Sequence, residues 1–370
     1  MGRTTKLDRG VNNLFLKYGT IVTSFGVGNE DHFEALKSNR SCIRKCMNSG
    51  FNGEDFFMAK IETLRENRYD HLLSVACLDL IKKVSSGLLS SPRTLFIVSS
   101  TKGNIDADPR SAFGSTKNIL RELLGIFHPP VIVSNACASG VIAINLAADY
   151  LNSGKYDDVI VMGIDSLSDF VLFGFQSLFA LSDEATRPFD SKRKGISLGE
   201  ACGVVILSSQ KGEEFSVQYC GGASSNDANH ISGPSRTGEG LVRAVQKAMM
   251  RAGINSDDID YISAHGTGTI YNDDMESIAF SRLGLTKKPV NSLKSYFGHT
   301  LGAAGVIEII ISMLCIEKNM LFKSLGFSES GTSEKINVIS KNEEKEINLV
   351  LKTASGFGGT NAALVLKKIR

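Results

Sequence analysis

Residues 131–151 read VIVSNACASGVIAINLAADYL. Val131, Ile132 and Val133 form a short apolar run of strand character. A turn of small and polar residues follows, and the segment from Cys137 to Leu151 is then predominantly apolar. That segment has helix length and no polar stripe, so it is predicted to be a helix buried on all sides. A second stretch repeats the plan. Positions 290–292 are strand-like, Lys294-Ser-Tyr-Phe-Gly-His299 is a turn, and the segment from Thr300 to Cys315 is again predominantly apolar. Each buried helix is followed by a glycine-led apolar run, Gly199-Glu-Ala-Cys-Gly-Val-Val-Ile-Leu207 in the first case and Gly359-Thr-Asn-Ala-Ala-Leu-Val-Leu366 in the second. The interval from Cys137 to Gly199 nearly equals that from His299 to Gly359. Two readings stand side by side: duplication, for which the matched order of elements speaks, and a chance resemblance between two apolar strands. The halves would divide at 1–210 and 211–370, with Cys137 and His299 facing each other across a pseudo-twofold axis.

The rest of the chain fits an α/β protein. Further strands are expected at 94–98, 159–162 and 259–264, short and non-alternating as in sheets covered on both faces. Helices are expected at 69–84, 239–252 and 273–283, and positions 340–346 read as a polar surface loop. With 370 residues, 42% hydrophobic and 22% charged, the chain can bury a large core. Its 41 Lys+Arg against 39 Asp+Glu exclude a strongly polyanion-binding protein. Lys37, Arg40, Arg44 and Lys45 lack interleaved aromatics and read as a solvated helix face rather than a nucleic-acid surface. Seven cysteines, an odd number, and a polar N-terminal stretch imply free thiols in a reducing cytoplasm. No apolar run reaches membrane-span length. Cys42 and Cys46 lack a second ligand pair, so no metal is expected.

Three residues carry the chemistry. Cys137 lies between a strand and a helix N-terminus, where the dipole and unpaired N–H groups favour thiolate. Alone, it reads equally well as an inert buried thiol. His265, in Ala264-His-Gly-Thr-Gly-Thr269, and His299 each follow a strand in a glycine-rich turn. Two neutral imidazoles so placed could donate hydrogen bonds to a developing enolate. Glu308 is the one acid within the second buried helix and requires a partner there, with Lys294 the nearest basic candidate. Gly356-Phe-Gly-Gly-Thr-Asn361 lacks a dinucleotide fingerprint and reads as a bulge or as a presenter of backbone N–H.

With Cys137, His265, Lys294, His299 and the GFGGTN turn in this order, the sequence resembles the β-ketoacyl-[acyl-carrier-protein] synthases. The likeness runs from Ile21–Gly26 through Arg187-Pro-Phe-Asp190 and Leu198-Gly-Glu200 to Asn361. It implies a thiolase fold, two pseudo-symmetric halves in a five-layer αβαβα sandwich. It also implies the elongating Cys-His-His class, which condenses an acyl-enzyme with a malonyl carrier in fatty-acid or specialised polyene or polyketide synthesis. On that resemblance Cys137 takes the acyl group, and the backbone N–H of Cys137 and Phe357 holds the oxyanion. His265 and His299 bind the malonyl thioester carbonyl, while Lys294 and Glu308 support them. Thr267 and Thr269 hydrogen-bond the pantetheine arm, Phe175 and Gly358 complete the substrate contacts, and Phe357 gates the two stages. Arg65 and Arg68 match the carrier-contact patch. No cofactor is implied beyond the carrier's phosphopantetheine. The partners implied are acyl carrier protein and a second subunit, as homodimer or as heterodimer with a related ketosynthase.

Departures from the family pattern include Ser355 beside the gate, Lys194 and Ile196 after Arg193, and Phe179 where some relatives have Arg. Lys102 falls near the loop that closes the acyl pocket in relatives, and a charge there suggests a specialised product such as an aryl polyene. Two other readings compete. One is a Cys-His-Asn acyl hydrolase using Cys137, His265 and Asn361; the other is a non-catalytic partner subunit like a chain-length factor.

Overall fold

The apolar runs become strands whose two faces are both covered. The structure, a computed structural model, describes residues 13–212, 215–227 and 233–369. The first half runs β1 (Leu14–Thr23), α1 (Arg68–Lys83), β2 (Thr94–Ser99), α2 (Gly114–Leu124), β3 (Val131–Val133), α3 (Ser139–Asn152), β4 (Asp158–Asp165) and β5 (Ala201–Ser208). The second runs β6 (Val217–Asn226), α4 (Glu239–Ala252), β7 (Tyr261–Ser263), α5 (Ile270–Arg282), β8 (Val290–Asn291), α6 (Ala304–Lys318), β9 (Leu349–Gly356) and β10 (Thr360–Lys368).

Strand order is β8-β7-β9-β10-β6-β1-β5-β4-β2-β3. Outward from β1 and from β6 the two halves have the same order and the same directions. β2 pairs in parallel with β3 and β4, and β7 with β8 and β9, while β5 and β10 are antiparallel to their neighbours. The halves join where β1 and β6 pair over Leu14–Leu16. The duplication read from the two glycine-led runs is therefore a repeat of topology.

Side chains alternate between layers, as the two-residue period of a strand requires. Leu95, Ile97, Val159, Val161, Val205 and Leu207 face inward onto α3 and α6. Phe96, Val98, Ile160, Met162, Val204 and Ile206 face outward onto α1 and α2. In the second half Leu364 and Leu366 face inward, and Ala363 and Val365 face α4 and α5. The result is five layers with α3 and α6 in the middle, as their all-round apolarity demands.

Some boundaries differ from expectation. α5 begins at Ile270 because Thr269 caps it, its hydroxyl accepting from Asn272 N at 3.3 Å. Positions 301–303 form a 3₁₀ turn before α6. Glu343–Glu344, expected in a loop, pairs with Met320–Leu321. The basic stretch is not one helix face. Lys37 ends the helix Asn29–Lys37, whereas Arg44 and Lys45 lie in the strand Arg44–Cys46. Among the described residues no helix is long and apolar enough to cross a membrane.

Candidate active site

The two central helices touch backbone to backbone. A Cβ on Gly140 would lie 2.8 Å from Val306 N, and one on Gly305 would lie 2.7 Å from Val141 N. Glycine at both positions lets the helices cross at this range, which draws their N-terminal turns together. Ala136 takes a left-handed conformation (φ 46°) to turn the chain from β3 into α3. Cys137 follows it, and its Sγ lies 3.0 Å from His299 Nε2. The His265 and His299 rings meet edge to face with centroids 5.2 Å apart. One donor atom from each of the three residues lies within 4.8 Å of the others.

The His265 turn is held by acids from α5. Glu276 accepts from His265 N at 2.8 Å and from Gly266 N at 2.6 Å. Asp273, one turn earlier, accepts from Thr267 N at 3.0 Å and from Phe189 N at 2.7 Å. The carbonyl of His265 accepts from Lys294 Nζ at 2.6 Å. Lys294 also pairs with Glu308 at 2.7 Å, the partner expected for that buried acid. The other Glu308 oxygen pairs with Lys352 at 2.6 Å. Asp273, Glu276 and Lys352 are positions that sequence reasoning passed over. The available signals were two acids spaced three apart directly after the HGTGT turn and one charge inside an apolar strand.

Burial decides the electrostatics. It pushes the Cys137 thiol up to about 12, against the pull of the Lys294 charge. This corrects the expectation of a thiolate from helix position alone: the resting sulfur is a thiol. Burial, reinforced by Lys294 and Lys352, holds both imidazoles well below the usual histidine range, so both rings are neutral. Neither Nδ1 has a hydrogen-bond partner among the described residues. A buried orphan N–H costs more than an orphan lone pair, so the proton belongs on Nε2. The three donors are close enough to hold a metal, but two ammonium groups beneath them set the local field against a cation.

Cys137, His265 and His299 line a cavity of about 320 Å³. Thr267, Thr269, Phe175 and Phe357 line it too. The Phe175 and Phe357 rings stack with centroids 5.2 Å apart, and the Thr267 and Thr269 hydroxyls are 2.9 Å apart. Gly358 shares the Phe357 turn at φ 79° but is not among the lining residues, and its carbonyl accepts from Asn226 Nδ2. Arg65 is exposed. Arg68 is not available for the carrier contact expected of it, because its guanidinium turns inward to Glu200 and the carbonyls of Ile61 and Leu64. Lys102 is buried and bonds Asp165 at 3.1 Å and the Ser166 carbonyl at 2.8 Å, so its charge is met within the chain. That removes the residue-level reason for assigning an aryl polyene product. Asn361 is committed to Ser355, Asp227 and the Gly359 carbonyl, which leaves the Cys-His-Asn arrangement without its third member.

The chain matches the β-ketoacyl synthase N-terminal domain over residues 118–212 and the C-terminal domain over residues 218–328. It is 37% identical over 268 residues to 3-oxoacyl-[acyl-carrier-protein] synthase 2 of Rhizobium meliloti (strain 1021), covering 68% of this chain and 63% of that protein. It is 30% identical over 286 residues to Nodulation protein E of Rhizobium leguminosarum bv. trifolii, covering 75% and 71% respectively. A chain of the solved complex of the ketosynthase ApeO with its chain length factor ApeC from Xenorhabdus doucetiae superposes with a TM-score of 0.88 at 25% identity, covering 97% of this chain and 98% of that one. The five layers are those of the thiolase-fold ketosynthases.

Proposed function

From its membership in the β-ketoacyl synthase family, to which this chain belongs, we propose that it joins an acyl group to a malonyl unit by decarboxylative Claisen condensation, both delivered on an acyl carrier protein. The observation that carries the proposal is the convergence of one thiol and two neutral imidazoles on one cavity.

In the first stage Cys137 Sγ, which accepts from His299 Nε2 at 3.0 Å, attacks the acyl thioester carbonyl as the thiol gives up its proton. The backbone N–H groups of Cys137 and Phe357 receive the tetrahedral oxyanion. The carrier thiolate leaves, taking that proton. Malonyl carrier then enters, its pantetheine arm hydrogen-bonded by Thr267 and Thr269, with the stacked Phe175 and Phe357 rings gating the exchange. His265 and His299 donate to its thioester carbonyl. The bond to the carboxylate breaks and carbon dioxide departs, leaving its electron pair as an enolate. The enolate carbon attacks the acyl-Cys137 carbonyl, the C–S bond breaks, and the Cys137 thiolate regains one proton from solvent. Neutral donors suit this step, because they stabilise the delocalised enolate without holding the departing carboxylate as a cationic ring would.

Arg65 is the exposed cation offered to an acidic carrier protein. The ApeO–ApeC complex supports a heterodimeric assembly with a chain-length-factor-like subunit over a solitary chain. The product belongs to fatty-acid or polyketide synthesis. The test supplies acyl- and malonyl-carrier protein and follows Cys137 by mass together with carbon dioxide release. His299→Ala should lower decarboxylation by ~10²–10³, the usual effect of losing one oxyanion donor. No acyl mass on Cys137 and no carbon dioxide, with any chain length or partner subunit, would refute the assignment.

A further inference from the structure

Strand β9 reads LVLKTASG, and Lys352 is its one charge. The side chain is fully buried, and its amine reaches the backbone next to His265. Nζ pairs with Glu308 at 2.6 Å and donates to the carbonyls of Ser263 at 3.1 Å and Ala264 at 3.3 Å. Lys294 takes the other Glu308 oxygen and the carbonyl of His265. Two lysines therefore grip three consecutive carbonyls, ending at a catalytic histidine, and share one carboxylate. Ionised, Glu308 and the two lysines keep one positive charge in excess among themselves, and that charge faces Glu276 on α5. Glu308 and Lys294 would balance without Lys352, and an unbalanced buried charge is costly. The second ammonium group thus does not serve to neutralise its neighbour.

We propose that Lys352 is a positioning residue for the condensation: it splints Ser263–Ala264 at the end of β7 and, as a second positive charge beneath the two rings, holds His265 and His299 in their neutral donor form. This rests on the ketosynthase reading and deepens it. The groups facing Lys352 are Glu308 from α6, Lys294 from the turn after β8, Glu276 from α5, and the two imidazoles. Glu276 and Glu308 act in the opposite sense to the lysines. Without Lys352, Lys294 alone faces both carboxylates and the rings gain affinity for protons. A cationic pair would hold the malonyl carboxylate.

The experiment compares the full chain with Lys352→Met, which keeps length and removes charge, and with Lys352→Gln, which also keeps a donor for the two carbonyls. Histidine ¹⁵N resonances are titrated by NMR, with His265 and His299 assigned from His→Ala variants, alongside the pH profile of malonyl-carrier decarboxylation. In both variants ring protonation should move to higher pH by about one pH unit or more, the effect of a unit charge a few ångströms away at an effective dielectric of about 20. The acid limb of the decarboxylation profile should move with it. Wild-type ring titrations in whichever variant folds would overturn the proposal, because a purely structural lysine would alter stability without moving them. If wild-type protein neither acylates Cys137 nor releases carbon dioxide, the ketosynthase reading fails, while the ring titrations still decide the charge effect of Lys352.

Discussion

Substituting Gly305 with Ala tests whether the helix crossing sets the chemistry. The added Cβ would lie 2.7 Å from Val141 N, 3.0 Å from Gly140 C and 3.0 Å from Val141 Cγ2. Carbon contacts relax to about 3.5–4.0 Å. Two of the three obstructing atoms are backbone of α3, so no rotamer change relieves them and the helices must part by about 1 Å. Cys137 lies just before α3 and His299 just before α6, so the parting widens their 3.0 Å contact. Overpacking of this kind costs about 1–3 kcal/mol of stability. A misplacement of about 1 Å at reacting groups costs ~10² in rate. Acylation of Cys137 followed by mass spectrometry should therefore slow by about two orders of magnitude while the protein remains folded. Gly87→Ala is the control, because nothing lies within 4 Å of a Cβ there. A folded Gly305→Ala protein that acylates at the wild-type rate would show that the crossing does not set the thiol–imidazole distance.

Two further outcomes follow from buried charge. Glu308→Ala leaves two ammonium groups without their carboxylate, so urea unfolding should show a loss of about 3–5 kcal/mol; a loss below ~1 kcal/mol would mean that the triad is not ionised as drawn. His32 is fully buried between Thr23 Oγ1 and the Gly28 carbonyl, and burial lowers it from 6.5 to about 4. The unfolded chain takes up a proton at His32 that the folded chain refuses. Its contribution is therefore present above pH 6.5 and lost as pH falls towards 4, on the order of 3 kcal/mol in all. Glu276, pushed up to about 7 by burial and Asp273, acts in the opposite direction over part of this window. Comparison with His32→Gln isolates the effect: the variant should lose less stability between pH 7 and pH 4, and identical slopes would contradict the assignment.

The layered fold was legible because its strands and central helices are buried on more than one face, and such elements cannot tolerate a polar stripe. The stretches 137–151 and 300–315 announced themselves in that way. Cys137, His265 and His299 stood out because each follows a short strand in a small-residue turn, the geometry that exposes a side chain beside a helix terminus. The residues that orient them carried no such mark. α5 reads IYNDDMESIAFSR, as polar as a surface helix, yet Asp273 and Glu276 are wholly buried because backbone N–H groups of the His265 turn consume their oxygens. Arg68 and Lys102 reversed the usual inference in the same way. Each looks like surface charge in one dimension and is turned inward by an acid far away in sequence, Glu200 or Asp165. Pairing over such separations leaves no local pattern to read.

The duplication also explains why only one of two equivalent corners is reactive. β4 and β9 are equal in length and occupy matching places in their half-sheets, ending at Asp165 and Gly356. At the first end the Asp165 carboxylate accepts from Gly302 N at 2.7 Å and from Thr101 N at 2.9 Å, and Lys102 neutralises it. The turn leading into α6 is therefore anchored by a side chain. At the second end there is no side chain, and a Cβ would already lie 2.9 Å from Cys137 N. Bare backbone approaches the turn leading into α3, and the volume that Asp165 fills in one half is left in the other to the cavity lined by Gly356 and Phe357. The symmetry supplies two helix N-termini. Replacing a carboxylate by glycine at the end of one strand leaves room for an acyl group at the N-terminus that carries the thiol, while the carboxylate at the other holds the His299 turn in place.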